Sequence, residues 1–178
     1  ILTGVNVFLL EAGLDTGPVF AHAERELDGT ETTESLLTEL AEIGAPLLVE
    51  TLDLLARGEA FSHPQRGEPT LAPRLLPEEG RIDWTAPAPA ISRHTRAFWT
   101  SPGTWTTLGG ARMKIGPVRA VEVNDPDAAP GTVAFIGKQA LVAAGHGAVL
   151  LERVAPPGKQ WMDAAAWARG LREQVIFQ

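Results

Sequence analysis

The 178-residue sequence contains no cysteine. That excludes disulfides, cysteine zinc centres and a thiol nucleophile, and it fits a cytoplasmic protein without requiring one. No stretch approaches the roughly 18 consecutive apolar residues of a membrane-spanning helix. The first residues lack the basic start and cleavage site of a secretion signal. There is no GxxxxGK(S/T) phosphate loop, no GxGxxG and no HExxH. Basic residues are nearly missing from the front. Positions 1–60 hold Arg25 and Arg57 against twelve acidic residues, a net charge of −10. Residues 61–178 hold thirteen basic and ten acidic residues, a net of +3. An acidic front and a basic rear fit two modules, of which the rear can meet a polyanion. Solvated surface charges distributed by chance fit equally well. The overall net charge of −7 is no sign of strong nonspecific nucleic-acid binding.

What is present reads as a folded chain, with 44% apolar and 21% charged residues. TGVNVFLL at positions 3–10 is β-branched and apolar and predicts a buried strand. GLDTG follows as a turn in which Gly13 and Gly17 allow backbone angles closed to other residues. Val19 to Leu27 predicts a second strand, so the pair is a candidate hairpin. Thr30 or Thr32 caps a helix whose stripe is Leu36, Leu40, Ile43 and Leu47. Leu37, Leu48, Leu52 and Leu55 widen that stripe, and Gly58 suits the stop. Gly44 and Pro46 are expected to kink or divide this helix.

From Ser62 to Gly80 four prolines and little periodicity predict a linker. A short helix is expected at Pro87–Ala97. Beyond it RMKIG, GTVAFIG, QALVAAG and AVLLERV are short strand-like runs separated by Gly and Pro, as in a small antiparallel barrel. Asp163 is placed to cap a last helix over AAAWARGL. His22, His63, His94 and His146 are too scattered to suggest a metal site and read as surface or satisfied histidines. Trp84, Trp99, Trp105, Trp161 and Trp167 have the chemistry to stack bases, but the simpler reading is that they anchor a small core. Asp15 is open to two readings. It is either a turn aspartate bonding nearby amides or a carboxylate held close to a ligand by glycine-flanked backbone.

TGVNVFLLEAGLDTGP resembles the segment of the methionyl-tRNA formyltransferase family that carries its active-site Asp, which is Asp15 here. LAEIGAPLLVETLDLLARG is similar to that family's following helix, and TLAPRLLPEEGRIDW to its linker and the start of its second domain. HTRAFWTSPGTWTTLGGARMKI resembles the first part of its C-terminal barrel. PGTV and LLERVAPPGKQWMDAAAWARG resemble its closing strands and last helix. GLDTGP alone is shared with other folate-dependent formyltransferases; its ordered combination with RIDW and PPGKxxM is more specific. Trp99-Thr100-Ser101-Pro102 departs from an N-P-W-P-like run, and Arg74 stands where the family commonly has lysine. The family's S-L-L-P-type folate loop and Asn-x-His pair do not occur: Asn6 and Asn124 have no His two positions on. The chain, which starts at Ile1, is therefore expected to be part of a longer parent and inactive alone.

The resemblance implies a partial Rossmann-like α/β catalytic domain at 1–61, a linker at 62–80 and a small OB-like β-barrel at 81–178. It implies transfer of a formyl group from 10-formyltetrahydrofolate, as co-substrate, to the amino group of initiator methionyl-tRNA, by a cytoplasmic monomer without metal or membrane. Asp15 would be the catalytic carboxylate, and Leu10, Glu11, Ala12 and Gly13 the backbone that holds the folate. For the basic rear, Arg74, Lys114 and Lys159, with Arg81 and Arg112, are the candidate phosphate contacts. An amino-sugar nucleotide as acceptor, or a non-catalytic RNA-binding module, are the competing expectations.

Overall fold

The computed structural model describes residues 1–122 and 128–178, so that Asn124 lies outside the described residues. The chain divides into two units, Ile1–Pro73 and Arg74–Gln178.

In the first unit, strands β1 (Leu2–Phe8) and β2 (Val19–Glu26) form an antiparallel hairpin. One face of β1 is partly buried through Thr3, Val5 and Val7, while Leu2, Gly4 and Asn6 on the other face are exposed. The strand is thus half-buried rather than buried, as alternation requires when one face is covered. Helix α1 (Thr33–Arg57) supplies that cover. Thr32 accepts from the Ser35 amide and Ser35 answers to the Thr32 amide, which satisfies two donors of the first turn. Gly58, at φ 72°, closes the helix in the left-handed region. Gly44 and Pro46 do not divide it: the helix runs through Pro46. Gly44 serves packing, since a Cβ there would lie 3.1 Å from the Val5 side chain. Leu36, Leu40, Ile43, Leu47, Thr51 and Leu54 form the covered stripe; Leu37, Leu48, Leu52 and Leu55 do not widen it and remain exposed. Arg25 ties β2 to the helix through Glu39 at 2.9 Å and reaches Glu31 at 3.2 Å.

In the second unit, helix α2 (Ala88–Ala97) precedes strands β3 (Trp105–Leu108), β4 (Ala111–Ile115), β5 (Val118–Val121), β6 (Thr132–Ile136), β7 (Gln139–Ala143), β8 (Ala148–Leu151), β9 (Arg153–Ala155) and β10 (Met162–Asp163). Helix α3 (Ala164–Arg169) and strand β11 (Val175–Ile176) complete it. Asp163 caps α3 by accepting from the Ala166 amide at 2.7 Å. One sheet has the order β10-β9-β4-β3 and the other β11-β6-β7-β8-β5. β4 passes into β5 across Gly116 and Pro117, and β8 into β9 across Glu152, so two strand pairs continue from one sheet to the other. On the opposite side the chain end joins the sheets. Phe177 donates to the Gly131 carbonyl at 2.9 Å, and Gln178 exchanges backbone bonds with Thr107.

The core lies between these sheets and α2. Met113, Ile115, Val142, Val149 and Val154 are fully enclosed. Ser92 and Thr95 of α2 bond the carbonyl and amide of Val118, which satisfies two backbone groups at the point where the helix meets β5. The chain end is a clamp made of aromatic rings. Phe177 stacks on Trp84 at 5.4 Å and on Trp167 at 5.8 Å, and the Trp84 indole donates to Thr106 at 2.9 Å. Phe177→Ala is expected to lower stability by roughly 3–5 kcal/mol, as a shifted urea midpoint followed by tryptophan fluorescence. A shift below about 1 kcal/mol would show that the ring is no clamp.

Candidate functional site

Residues Leu9–Pro18 join β1 to β2, and three contacts fix this loop. The Leu9 amide donates to the Pro18 carbonyl at 3.0 Å and closes its base. Val19 and His63 exchange backbone bonds of 2.8 Å, which lays the segment after α1 beside the loop. Gln65 then extends its side-chain amide to the carbonyls of both Asp15 and Gly17, each at 2.8 Å. These tertiary bonds come from within the stretch expected to be a linker, and the sequence offered no periodicity that would reveal them.

The glycines do a different job from the one expected. Neither Gly13 nor Gly17 takes a positive φ; Asp15 does, at 53°. Aspartate is among the few residues that tolerate this region. Gly17 is buried because backbone passes against it, and a Cβ there would come within 1.7 Å of the Leu9 carbonyl oxygen. A side chain at position 17 would therefore open the base of the loop. Leu10, Glu11, Ala12 and Gly13 are exposed, and Leu10 and Leu14 are more than four-fifths accessible. The Asp15 side chain is exposed as well. Chemically, the loop offers accessible peptide groups and apolar flanks to a flat heterocycle, beside a carboxylate able to orient a base.

In the second unit four of the five basic candidates, Arg74, Arg81, Arg112 and Lys114, lie around Trp105 and the hollow adjoining it, and Lys159 is not among them. The β3–β4 hairpin pairs Trp105 with Lys114, Thr106 with Met113 and Thr107 with Arg112. Because strand side chains alternate, Thr106 and Met113 face the core while Trp105, Lys114, Thr107 and Arg112 share the outer face. The Arg112 guanidinium lies 3.8 Å from the Trp105 ring centroid, and that of Arg81 at 5.8 Å. The Trp105 indole donates to the Pro77 carbonyl at 2.8 Å. Arg74 lines a hollow with Pro77, Ser101 and Pro102 next to it. A cleft of about 250 Å³ is bounded by Trp99, Trp105, Arg112, Lys114 and Trp161. Lys159 stands two residues before Trp161 in an exposed turn and does not line that cleft.

The five tryptophans therefore divide. Trp84 is buried and Trp167 packs against the core, whereas Trp99, Trp105 and Trp161 are half-buried at the cleft. Trp99 and Trp161 meet edge to face at 5.2 Å. Arg153, missed in the sequence, lies 5.7 Å from the Trp161 ring. The Thr85 hydroxyl and amide hold the Asp83 carboxyl below its ordinary range. His94 stacks on Phe98 at 4.6 Å, and its buried Nε2 has no hydrogen-bond partner among the described residues, so it is not a satisfied histidine. Among the described residues no group of three or more His, Asp or Glu is placed to hold a metal ion, and no helix is long and apolar enough to cross a membrane.

The family described as formyl transferase, C-terminal domain, matches residues 74–172. The methionyl-tRNA formyltransferase of Arthrobacter sp. (strain FB24) is 45% identical over 179 residues, covering 99% of this chain and 58% of that protein. The chain thus spans less than two thirds of the curated relatives it matches. Among solved structures, HypX from Aquifex aeolicus in complex with tetrahydrofolic acid superposes with a TM-score of 0.72 at 20% identity, covering 93% of this chain and 30% of that one. A methionyl-tRNA formyltransferase from Clostridium thermocellum gives 0.53 at 24% identity, covering 70% and 52%. The mixed α/β fold is thus one seen among formyltransferases, and the chain belongs to the formyl transferase family, whose C-terminal domain it carries from Arg74 to Arg172.

Proposed function

We propose that this chain is the loop-bearing end of a catalytic domain and the tRNA-binding domain of a methionyl-tRNA formyltransferase. The observation that carries this is the Asp15 loop. An exposed carboxylate is held in the left-handed region by a tertiary side chain, within a sequence segment that resembles the family's active site. The identity of 45% to the Arthrobacter relative supports the choice of acceptor. The first unit is then the end of a Rossmann-like domain. The second is an OB-like barrel, supported by strands that run from one sheet into the other and by the chain end that bridges their edges.

In the proposed reaction the methionyl amine attacks the formyl carbon of 10-formyltetrahydrofolate. The carbon–nitrogen bond to folate breaks, and the proton lost by the amine is returned to the folate nitrogen. The family's Asn and His, which this chain lacks, would stabilise the oxyanion and carry the proton. Asp15 would orient that His, directly or through water. The exposed backbone of Leu10, Glu11, Ala12 and Gly13 would hold the pterin edge. We place the parent enzyme in the cytoplasm as a monomer.

The test is a chimera in which the Arthrobacter relative supplies the segment that this chain does not match. It is expected to formylate initiator methionyl-tRNA from 10-formyltetrahydrofolate in preference to a nucleotide amino sugar. Preference for the sugar would overturn the assignment. Asp15→Asn in that chimera should reduce turnover by about 100-fold or more with unchanged circular dichroism. Near wild-type turnover would remove Asp15 from the mechanism.

Charge makes a further prediction. If Arg74, Arg81, Arg112 and Lys114 each meet a phosphate, the logarithm of tRNA affinity should fall with the logarithm of salt at a slope of about −3. A flat response in a filter-binding titration would contradict phosphate contacts on this surface.

A further inference from the structure

We propose that the cleft between Trp99, Trp105 and Trp161 is a stacking site for an unpaired nucleobase. It rests on the RNA-binding function proposed above and adds a chemistry that phosphate contacts do not supply. Three observations converge on it. First, three half-buried indoles line one cleft, whereas Trp84 lies in the core and Trp167 packs against it. Second, the lining carries two cations, Arg112 and Lys114, and no acidic side chain. Third, at about 250 Å³ the cleft is smaller than the roughly 300–1,000 Å³ that drug-sized ligands occupy, which suits one base rather than a large cofactor.

The geometry gives the walls separate roles. The Arg112 guanidinium lies over the Trp105 ring, 3.8 Å from its centroid, within cation–π range, and both residues line the cleft. Guanidinium planes and indole faces are the surfaces on which splayed bases stack. Trp161 and Trp99, which also line the cleft, brace each other edge to face, so neither indole must be ordered at the moment of binding. Lys114, exposed and opposite Trp105 in the hairpin, stands where the phosphate flanking a stacked base needs a cation. A base inside a duplex cannot enter, because both its faces are already stacked on its neighbours. The occupant is therefore a single-stranded or unpaired nucleotide.

The test uses the full chain and two RNAs. One is a hairpin with a short single-stranded 3′ tail. The other is the same hairpin whose tail is abasic, with identical phosphates and no bases. The tail with bases should bind about 10-fold more tightly, since stacking one base on an aromatic side chain supplies that much. Trp161→Ala should bring this ratio close to one, while Trp161→Phe, which keeps an aromatic face, should retain most of it. Being a ratio, it cancels a general loss of charge or folding, and a thermal melt of each variant checks the fold. Equal affinity for the two RNAs, or a ratio that survives Trp161→Ala, overturns the stacking site but leaves RNA binding standing. Binding of neither RNA overturns both.

Discussion

Two carbonyl oxygens, those of Asp15 and Gly17, turn toward one side-chain amide, that of Gln65. The rest of the candidate catalytic surface depends on that convergence. A loop of ten residues has many conformations open to it, and fixing it costs backbone entropy that local contacts in Leu9–Pro18 do not offset. Asp15 adds the cost of a left-handed backbone at a residue with a Cβ. The compensation comes from the segment after α1, which pairs at His63 and then donates through Gln65. Gly17 makes the arrangement possible by having no side chain against the Leu9 carbonyl. The loop can be both exposed and defined because its anchors, His63 and Gln65, lie outside it in the segment after α1.

The second unit meets a different constraint in the same manner. A small β-rich unit must cover its core, and in the proposed function it must also leave one face free for a polyanion. The β3–β4 hairpin separates the two tasks by parity. Met113 and Ile115 point inward, and Arg112 and Lys114 outward. The positive face thus needs no buried charge. Its cations stay exposed, and among the described residues Arg112 rests on Trp105 and forms no ion pair with an acidic side chain. That keeps its charge available to a phosphate.

Most elements were legible in the sequence because their signals are local. The Thr32 cap, the Leu36–Leu40–Ile43–Leu47 stripe, the Asp163 cap and four of the later strands follow from spacing and turn residues. Pro46 does not divide the helix, because a proline on its exposed side removes one bond without ending a helix held by packing on its other face. Strands β3, β5, β10 and β11 were not read: each spans only two to four residues, and β8, equally short, was read only within the longer run AVLLERV. The outer face was recoverable all the same. Gly109-Gly110 makes a two-residue turn, and counting outward from it sets Trp105 opposite Lys114. Gln65 was not recoverable: its bonds span about fifty residues, and no sequence pattern announces a side chain that bonds backbone so far away.

The most direct measurement of the central claim is a calorimetric titration of 5-formyltetrahydrofolate into the chimera with Gln65 intact or replaced by alanine. If Gln65 holds the folate loop in its binding shape, losing its two hydrogen bonds should weaken folate binding about 10-fold. Affinity for methionyl-tRNA should stay within about two-fold, because the cationic face lies in the second unit. Equal folate affinity in the two proteins would contradict the account and leave the Asp15 loop as an ordinary turn.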